Sequence, residues 1–186
     1  MERRAEDRRA LPIASTAQIT NSDKSAAKIL PSTIEDRARI RQIILNSDMF
    51  QASDAECVEG MFDLALAKPT PDNYRFLSAW LDGAMVGFVC FGWESLTRGT
   101  WDLFWVVTLP AARRQGIGGA LLDEVVRIAT VEGGRLMVIY TSSTTAYDAA
   151  RKLYECRQFV RTAVVPGYYN KDDDLFIYSR RLQALL

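Results

Sequence analysis

No histidine occurs anywhere in the 186 residues of this chain. That absence excludes Ser-His-Asp and Cys-His nucleophilic machinery, and with it His-based catalytic zinc sites. No metal is expected. Acid–base chemistry is left to carboxylates, tyrosines, lysines, cysteines or water. Cysteine is scarce: Cys57, Cys90 and Cys156 are widely spaced, odd in number and form no CxxC pair. A reduced, cytoplasmic chain is the expectation, with the three thiols as packing or bystander residues. Net charge is also missing, since Lys+Arg and Asp+Glu both number 23. Nothing in that balance draws the chain to nucleic acid or to an acidic membrane. Long hydrophobic runs are absent too; Ala84 to Trp93 is too short to span a bilayer. The charged N-terminus has no apolar h-region behind it, so it does not read as a secretory signal.

What is present suits one domain with one sizeable core, at 48% hydrophobic and 25% charged residues. Residues 1–26 are polar and read as a flexible N-terminal arm. Residues 27–186 read as the folded domain. Ala27 to Leu30 predicts a short strand stopped by Pro31. Thr33 predicts a helix N-cap, followed by acidic residues and by Ile40, Ile43 and Ile44 at helical spacing. A second helix is expected from Asp54 to Ala67. Tyr74 to Leu81 and Ala84 to Trp93 flank Asp82-Gly83, a hairpin signal. Trp101 to Leu109 predicts a central strand, apolar on nearly both faces. Gly116 to Val131 predicts a helix ended by Glu132-Gly133-Gly134. A strand at Leu136 to Thr141 and a helix at Ala146 to Cys156 follow. Strands at Phe159 to Val165 and Leu175 to Tyr178 close the chain around a loop from Pro166 to Asp174. The fold class is α/β, with a mixed sheet flanked by helices.

The stretch behind the central strand carries most of the chemistry. It reads Arg113-Arg114-Gln115-Gly116-Ile117-Gly118-Gly119 and runs into an apolar helix. Glycines let a backbone turn tightly and approach a ligand. Free N–H groups at a helix start, reinforced by the helix dipole and by arginines, suit a diphosphate. A P-loop would need Lys-Ser/Thr after its last glycine, and there is none. A dinucleotide fingerprint needs a third glycine where Leu121 stands, and an acidic residue after the next strand, which ends Tyr140-Thr141-Ser142-Ser143. From spacing alone the loop is either an anion site or a plain strand-to-helix connector.

Arg-x-x-Gly-x-Gly at Arg113, Gly116 and Gly118, behind the strand Asp102 to Pro110, resembles the acetyl-CoA-binding motif of the GNAT N-acetyltransferase superfamily. The resemblance extends over Pro31 to Leu182 and includes Ala150-x-x-Leu153-Tyr154-x-x-x-x-Phe159. It implies an acyl-CoA-dependent N-acyltransferase. Amides from Arg114 to Gly119 would hold the coenzyme A diphosphate, and Val106, Val107 and Thr108 would pair with the pantetheine arm like an added strand. An N–H at Val107 or Thr108 would stabilise the oxyanion. Many relatives carry Asn where this chain has Tyr147, so a pantetheine contact is lost or replaced there. The resemblance also allows a homodimer, and an acyl-CoA-binding module without turnover as the alternative to an enzyme.

Transfer to an amine needs a neutral nucleophile, a stabilised oxyanion and a thiolate that is protonated or leaves as an anion. Tyr154 matches the tyrosine that often protonates the thiolate in GNAT enzymes. Its ordinary pKa lies only about 1.5 units above that of a thiol. Periodicity alone would make it a core aromatic. Tyr147 is the substitute, with Tyr140, Tyr168 and Tyr169 more remote. Asp102 is the candidate base, because a carboxylate in an apolar strand is pushed towards a useful pKa. A strand-start aspartate paired with Arg98, Glu94 as base, or a water chain are the alternatives. The run Asp172 to Asp174 reads as a solvated turn; its second reading is a guide for a cationic amine acceptor. The acceptor itself is not legible.

Overall fold

The computed structural model describes residues 26–70 and 73–182. All but the last residue of the expected N-terminal arm, together with residues 183–186, lies outside the described residues. Seven strands form one sheet in the order β1-β2-β3-β4-β5-β7-β6. They are β1 (Lys28–Pro31), β2 (Arg75–Leu81), β3 (Ala84–Trp93), β4 (Thr100–Thr108), β5 (Leu136–Ser142), β6 (Val160–Asn170) and β7 (Asp173–Arg181). Every neighbouring pair is antiparallel except β4 with β5. The helices are α1 (Arg37–Leu45), α2 (Ala52–Ala67), α3 (Ile117–Val131) and α4 (Asp148–Cys156).

Two apolar layers cover the sheet. Ile40, Ile43 and Ile44 of α1 and Ala55, Val58 and Phe62 of α2 pack on Phe76, Phe88 and Val107. On the opposite face Ile117, Leu121, Val125 and Ala129 of α3 pack on Val89, Leu103 and Ile139, with Tyr154 of α4 beside them. The i, i+4 spacing that predicted α3 is therefore the stripe it buries. Glu59 of α2 is buried and takes the guanidinium groups of Arg37 and Arg41, which fastens the helix pair. The start of α1 is a 3-10 turn, Ile34–Asp36, in which the Thr33 N–H donates to the Asp36 carboxylate at 2.9 Å.

Two expectations need correcting. First, β4 is not apolar-buried along its whole length. Thr100 to Leu103 are buried, but Phe104 is 39% exposed and Trp105 and Val106 are half-buried. The reason is that β5 pairs β4 only from Thr100↔Leu136 to Leu103↔Ile139 and then parts from it. Second, Pro166 to Asp174 is not a free loop. Strands β6 and β7 continue through it and turn at Lys171-Asp172, where the Asn170 side chain accepts the Lys171 N–H at 2.8 Å. Pro166-Gly167 mimics a turn signal, but it begins an outward bulge between Val165↔Leu175 and Asn170↔Asp173. The Gly167 N–H is held there by the Asp174 carboxylate at 2.9 Å. No described helix is long and apolar enough to cross a membrane.

Candidate active site

Where β4 and β5 part, they leave a cleft. A cavity of about 1090 Å³ fills it and runs from the Arg113–Gly119 loop to α2. The exposed edge of β4 is one bank. Leu109 N–H donates to Val86 O at 2.9 Å, and Phe88 stands opposite Val107. Amides alternate in direction along a strand, so Val107 faces β3 while Val106 and Thr108 turn their N–H groups to the cleft. Of the expected oxyanion donors, Val107 turns its N–H to β3 and is unavailable, whereas Thr108, and with it Val106, faces the cleft.

The loop has the backbone geometry of an anion cradle. Arg114 (φ 60°) and Gly116 (φ 80°) both adopt the left-handed conformation. No acceptor among the described residues takes the N–H groups from Arg114 to Gly119; the first bond of α3 runs from Ala120 N–H to Gly116 O. Such a run of unpaired donors at a helix start is a site for phosphate oxygens. Gly118 lets the start of α3 lie close to α4, since a Cβ there would stand 3.2 Å from the Leu153 side chain. Arg113, Arg114, Gly116, Ile117, Gly118 and Gly119 all line the cavity. Gln115 does not; its amide donates to Ala111 O at 3.1 Å, which braces the loop from outside. The Arg113 guanidinium is taken by Asp48, tying the loop to the α1–α2 connection.

Tyr154 lies on the cavity wall and is 5% exposed. Burial, then the neighbouring tyrosines Tyr147, Tyr178 and Tyr169, push its phenol well above the usual value. The gap to a thiol is thus wider than free-residue values suggest. Tyr147 shares the wall and is raised by burial and by Asp54 and Asp173. Asp102 is 7% exposed and lies under the cavity rather than on its surface. Burial first, then Glu94, lifts its carboxyl to about 6. No described ion pair or hydrogen bond engages it, so the pairing with Arg98 is not formed. Burial first, then Asp102 and Glu94, raise Tyr140, which shares the Asp102 face of the sheet because Asp102 stands opposite Val138.

The Acetyltransferase (GNAT) family matches residues 38–159. A GNAT-family protein from Desulfovibrio desulfuricans is 30% identical and superposes with a TM-score of 0.81, over 85% of this chain and 100% of that one. The chain belongs to the GNAT acetyltransferase family. YncA of Salmonella typhimurium, solved with its cofactor acetyl-CoA, has the same fold at 22% identity and a TM-score of 0.68, over 85% of this chain and 95% of YncA. The ribosomal-protein-S18-alanine N-acetyltransferase of Escherichia coli shares it at 20% identity and a TM-score of 0.69, over 87% and 96%. No curated protein matches.

Several wall residues of this GNAT protein escaped the sequence reading. Phe104 is the extra residue of a β-bulge, because Cys90 stands opposite Trp105 and Phe91 opposite Leu103. The bulge sets the adjacent Phe104 and Trp105 on one face, the α1–α2 face that Asp102 shares by ordinary alternation. Tyr74 meets Phe104 edge-on at 5.2 Å, and Phe50 meets Trp105 at 5.4 Å. Thr141 lines the cavity from β5, and its buried hydroxyl has no partner. A buried orphan hydroxyl is costly unless a ligand satisfies it. The carboxylate of Asp173 is not a free guide for substrate. It accepts from the Ser142 hydroxyl at 2.6 Å and the Ser143 N–H at 3.1 Å, which pins the end of β5 to the last hairpin. Tyr169 reaches the cavity from the bulge, whereas Tyr168 does not line it.

Proposed function

We propose that this GNAT protein transfers an acetyl, or another short acyl, group from acetyl-CoA to a primary amine by direct attack in a ternary complex. The observation that carries this reading is continuous: the unpaired N–H run from Arg114 to Gly119 leads into the unpaired edge of β4. A diphosphate and the amide-bearing arm behind it fit those donors in that order. The orphan Thr141 hydroxyl gives the arm a further partner on the opposite bank. The acetyl-CoA in the YncA structure occurs on this same fold.

The residues then divide the work. The Val106 or Thr108 N–H polarises the thioester carbonyl and holds the oxyanion. Tyr154, neutral at all working pH values, donates its O–H to the departing sulfur as charge develops there. Asp102 removes the ammonium proton through a water, since it lies beneath the cavity floor. A second reading, acyl-CoA binding without turnover, is favoured by one feature: Tyr147 stands at the position where many relatives carry Asn.

Thermal unfolding with acetyl-CoA, NAD and ATP in separate samples tests the cofactor. Acetyl-CoA alone should raise Tm; at a hundredfold excess over Kd the gain is about 2.7 kcal/mol. No rise at saturation removes the proposal. A rise without coenzyme A release across a broad amine panel establishes the binding-only reading.

Asp102→Asn separates a base from a structural aspartate by two opposite signs. The folded-state pKa of Asp102 is raised from 3.8 to about 6. The folded state therefore binds the proton more tightly, and stability declines as pH rises through that window. The Asn variant should be more stable than the parent at about pH 8 and not at about pH 4. It should also lose the acid limb of kcat/KM centred near 6. Unchanged activity and pH profile would assign the base to Glu94 or to water alone.

A further inference from the structure

The acceptor half of the cavity has a chemical character of its own. Between α2 and β4 its wall is built from Phe50, Met61, Tyr74, Phe104, Trp105 and Tyr140. The two edge-on ring pairs, at interplanar angles of 69° and 82°, hold these rings in place. The charged side chains on the cavity wall fall into two groups. Arg113 and Arg114 belong to the cofactor loop. Asp54, at the start of α2, and Asp173 are the acidic ones; Asp54 also accepts the Gln51 N–H at 2.8 Å, and Asp173 is held by Ser142 and Ser143. No cationic side chain among the described residues lines the acceptor half.

A positive head and an apolar body fit this arrangement. An ammonium finds aromatic faces and the Asp54 carboxylate, with Asp102 under the floor. A ligand carboxylate finds no cation and would be desolvated against rings and carboxylates. A polyhydroxylated, polycationic amine would need many polar partners, and the ring-lined wall offers few. We propose that the acceptor is a compact primary amine on an aromatic or branched aliphatic body without a carboxylate. This rests on the acetyl-transfer reading and specifies its substrate class. No redox step enters: the amine nitrogen forms the amide C–N bond as the thioester C–S bond breaks, one ammonium proton leaves through Asp102 and water, and the second proton lost from nitrogen balances the one Tyr154 gives to the sulfur, so the products are the amide, the coenzyme A thiol and one proton.

The test compares 2-phenylethylamine with phenylalanine, which differs by one carboxylate, and with kanamycin. Coenzyme A release and product mass are measured, with acetyl-CoA-induced thermal stabilisation as the parallel control. The expected result is stabilisation by acetyl-CoA and a kcat/KM for 2-phenylethylamine about 100-fold above both competitors. Met61→Arg, which sets a cation in the half-buried wall of α2, should cut the preference over phenylalanine by about tenfold. Stabilisation with equal or better turnover of phenylalanine or kanamycin, or with no turnover of 2-phenylethylamine, overturns the substrate class alone. Absence of stabilisation overturns the acetyl-transfer reading and this inference with it.

Discussion

Tyr154→Phe should lower kcat by about 100-fold while leaving the acetyl-CoA-induced thermal shift in place. The substitution removes one oxygen and keeps the ring. That ring packs 6.4 Å from Phe159 and 5.8 Å from Tyr178, centroid to centroid, so the fold has no reason to change. Tyr178 cannot take over, because its hydroxyl already donates to Glu155 at 2.9 Å. Tyr147 is the nearest substitute on the same wall. Burial holds the Tyr154 phenol well above its usual value, so complete proton transfer to a thiolate is uphill. In the proposed mechanism the hydroxyl acts as a donor to sulfur in the transition state, where negative charge grows in a site of low polarity. An effect on kcat with KM for acetyl-CoA nearly unchanged is the mark of such an interaction. A loss of less than about threefold would move the proton donor elsewhere, and the same loss in Tyr147→Phe would identify it. If kcat is limited by product release, single-turnover measurement exposes the chemical step.

The shape of the Arg113–Gly119 loop was legible because it is set locally. Gly116 and Gly118 follow the strand within a few residues, and backbone amides at a helix start need no distant partner to form a cradle. The sheet and its order of elements were legible for a similar reason: Asp82-Gly83 and the stripe Leu121, Val125 and Ala129 are short-range patterns. The acceptor half was not legible, because it is assembled from four separate segments. Phe50, Met61, Tyr74, Phe104 and Trp105 come together only through the packing of α2 on the sheet and the bulge that turns Trp105 to the face of Phe104. A bulge leaves no mark in an apolar run such as Leu103-Phe104-Trp105-Val106. The same run concealed the parting of β4 from β5, since residues lining a cleft and residues lining a core are both apolar. The Asp172 to Asp174 run misled in the opposite sense: its carboxylates look solvated in sequence, yet Asp173 and Asp174 bond the backbone and side chains of neighbouring segments.

Gly134→Ala should cost about 3 kcal/mol and lower Tm by roughly 6–12 °C, far more than the same change one residue earlier. In the sequence the two glycines read as one stop signal after α3, but they do different things. Gly133 is left-handed, with φ 80°, and its Cβ would meet open space. Alanine there costs about 1 kcal/mol of backbone strain. Gly134 completes a Schellman ending, donating its N–H to Ala129 O at 2.7 Å while Gly133 donates to Thr130 O at 3.1 Å. A Cβ on Gly134 would stand 2.5 Å from that same Ala129 oxygen and 2.7 Å from the indole nitrogen of Trp101. Neither can yield cheaply. The Ala129 carbonyl is fixed by the bond that ends the helix, and Trp101 is fully buried with its ring stacked 6.0 Å from Phe91. The chain must therefore shift where it enters β5, the strand that pairs with β4 from Thr100 onward and then parts from it to open the cleft. Equilibrium unfolding of the two alanine variants decides the matter: a larger loss at Gly133 than at Gly134 would mean that backbone conformation, and not the close approach of Trp101, is what this turn demands.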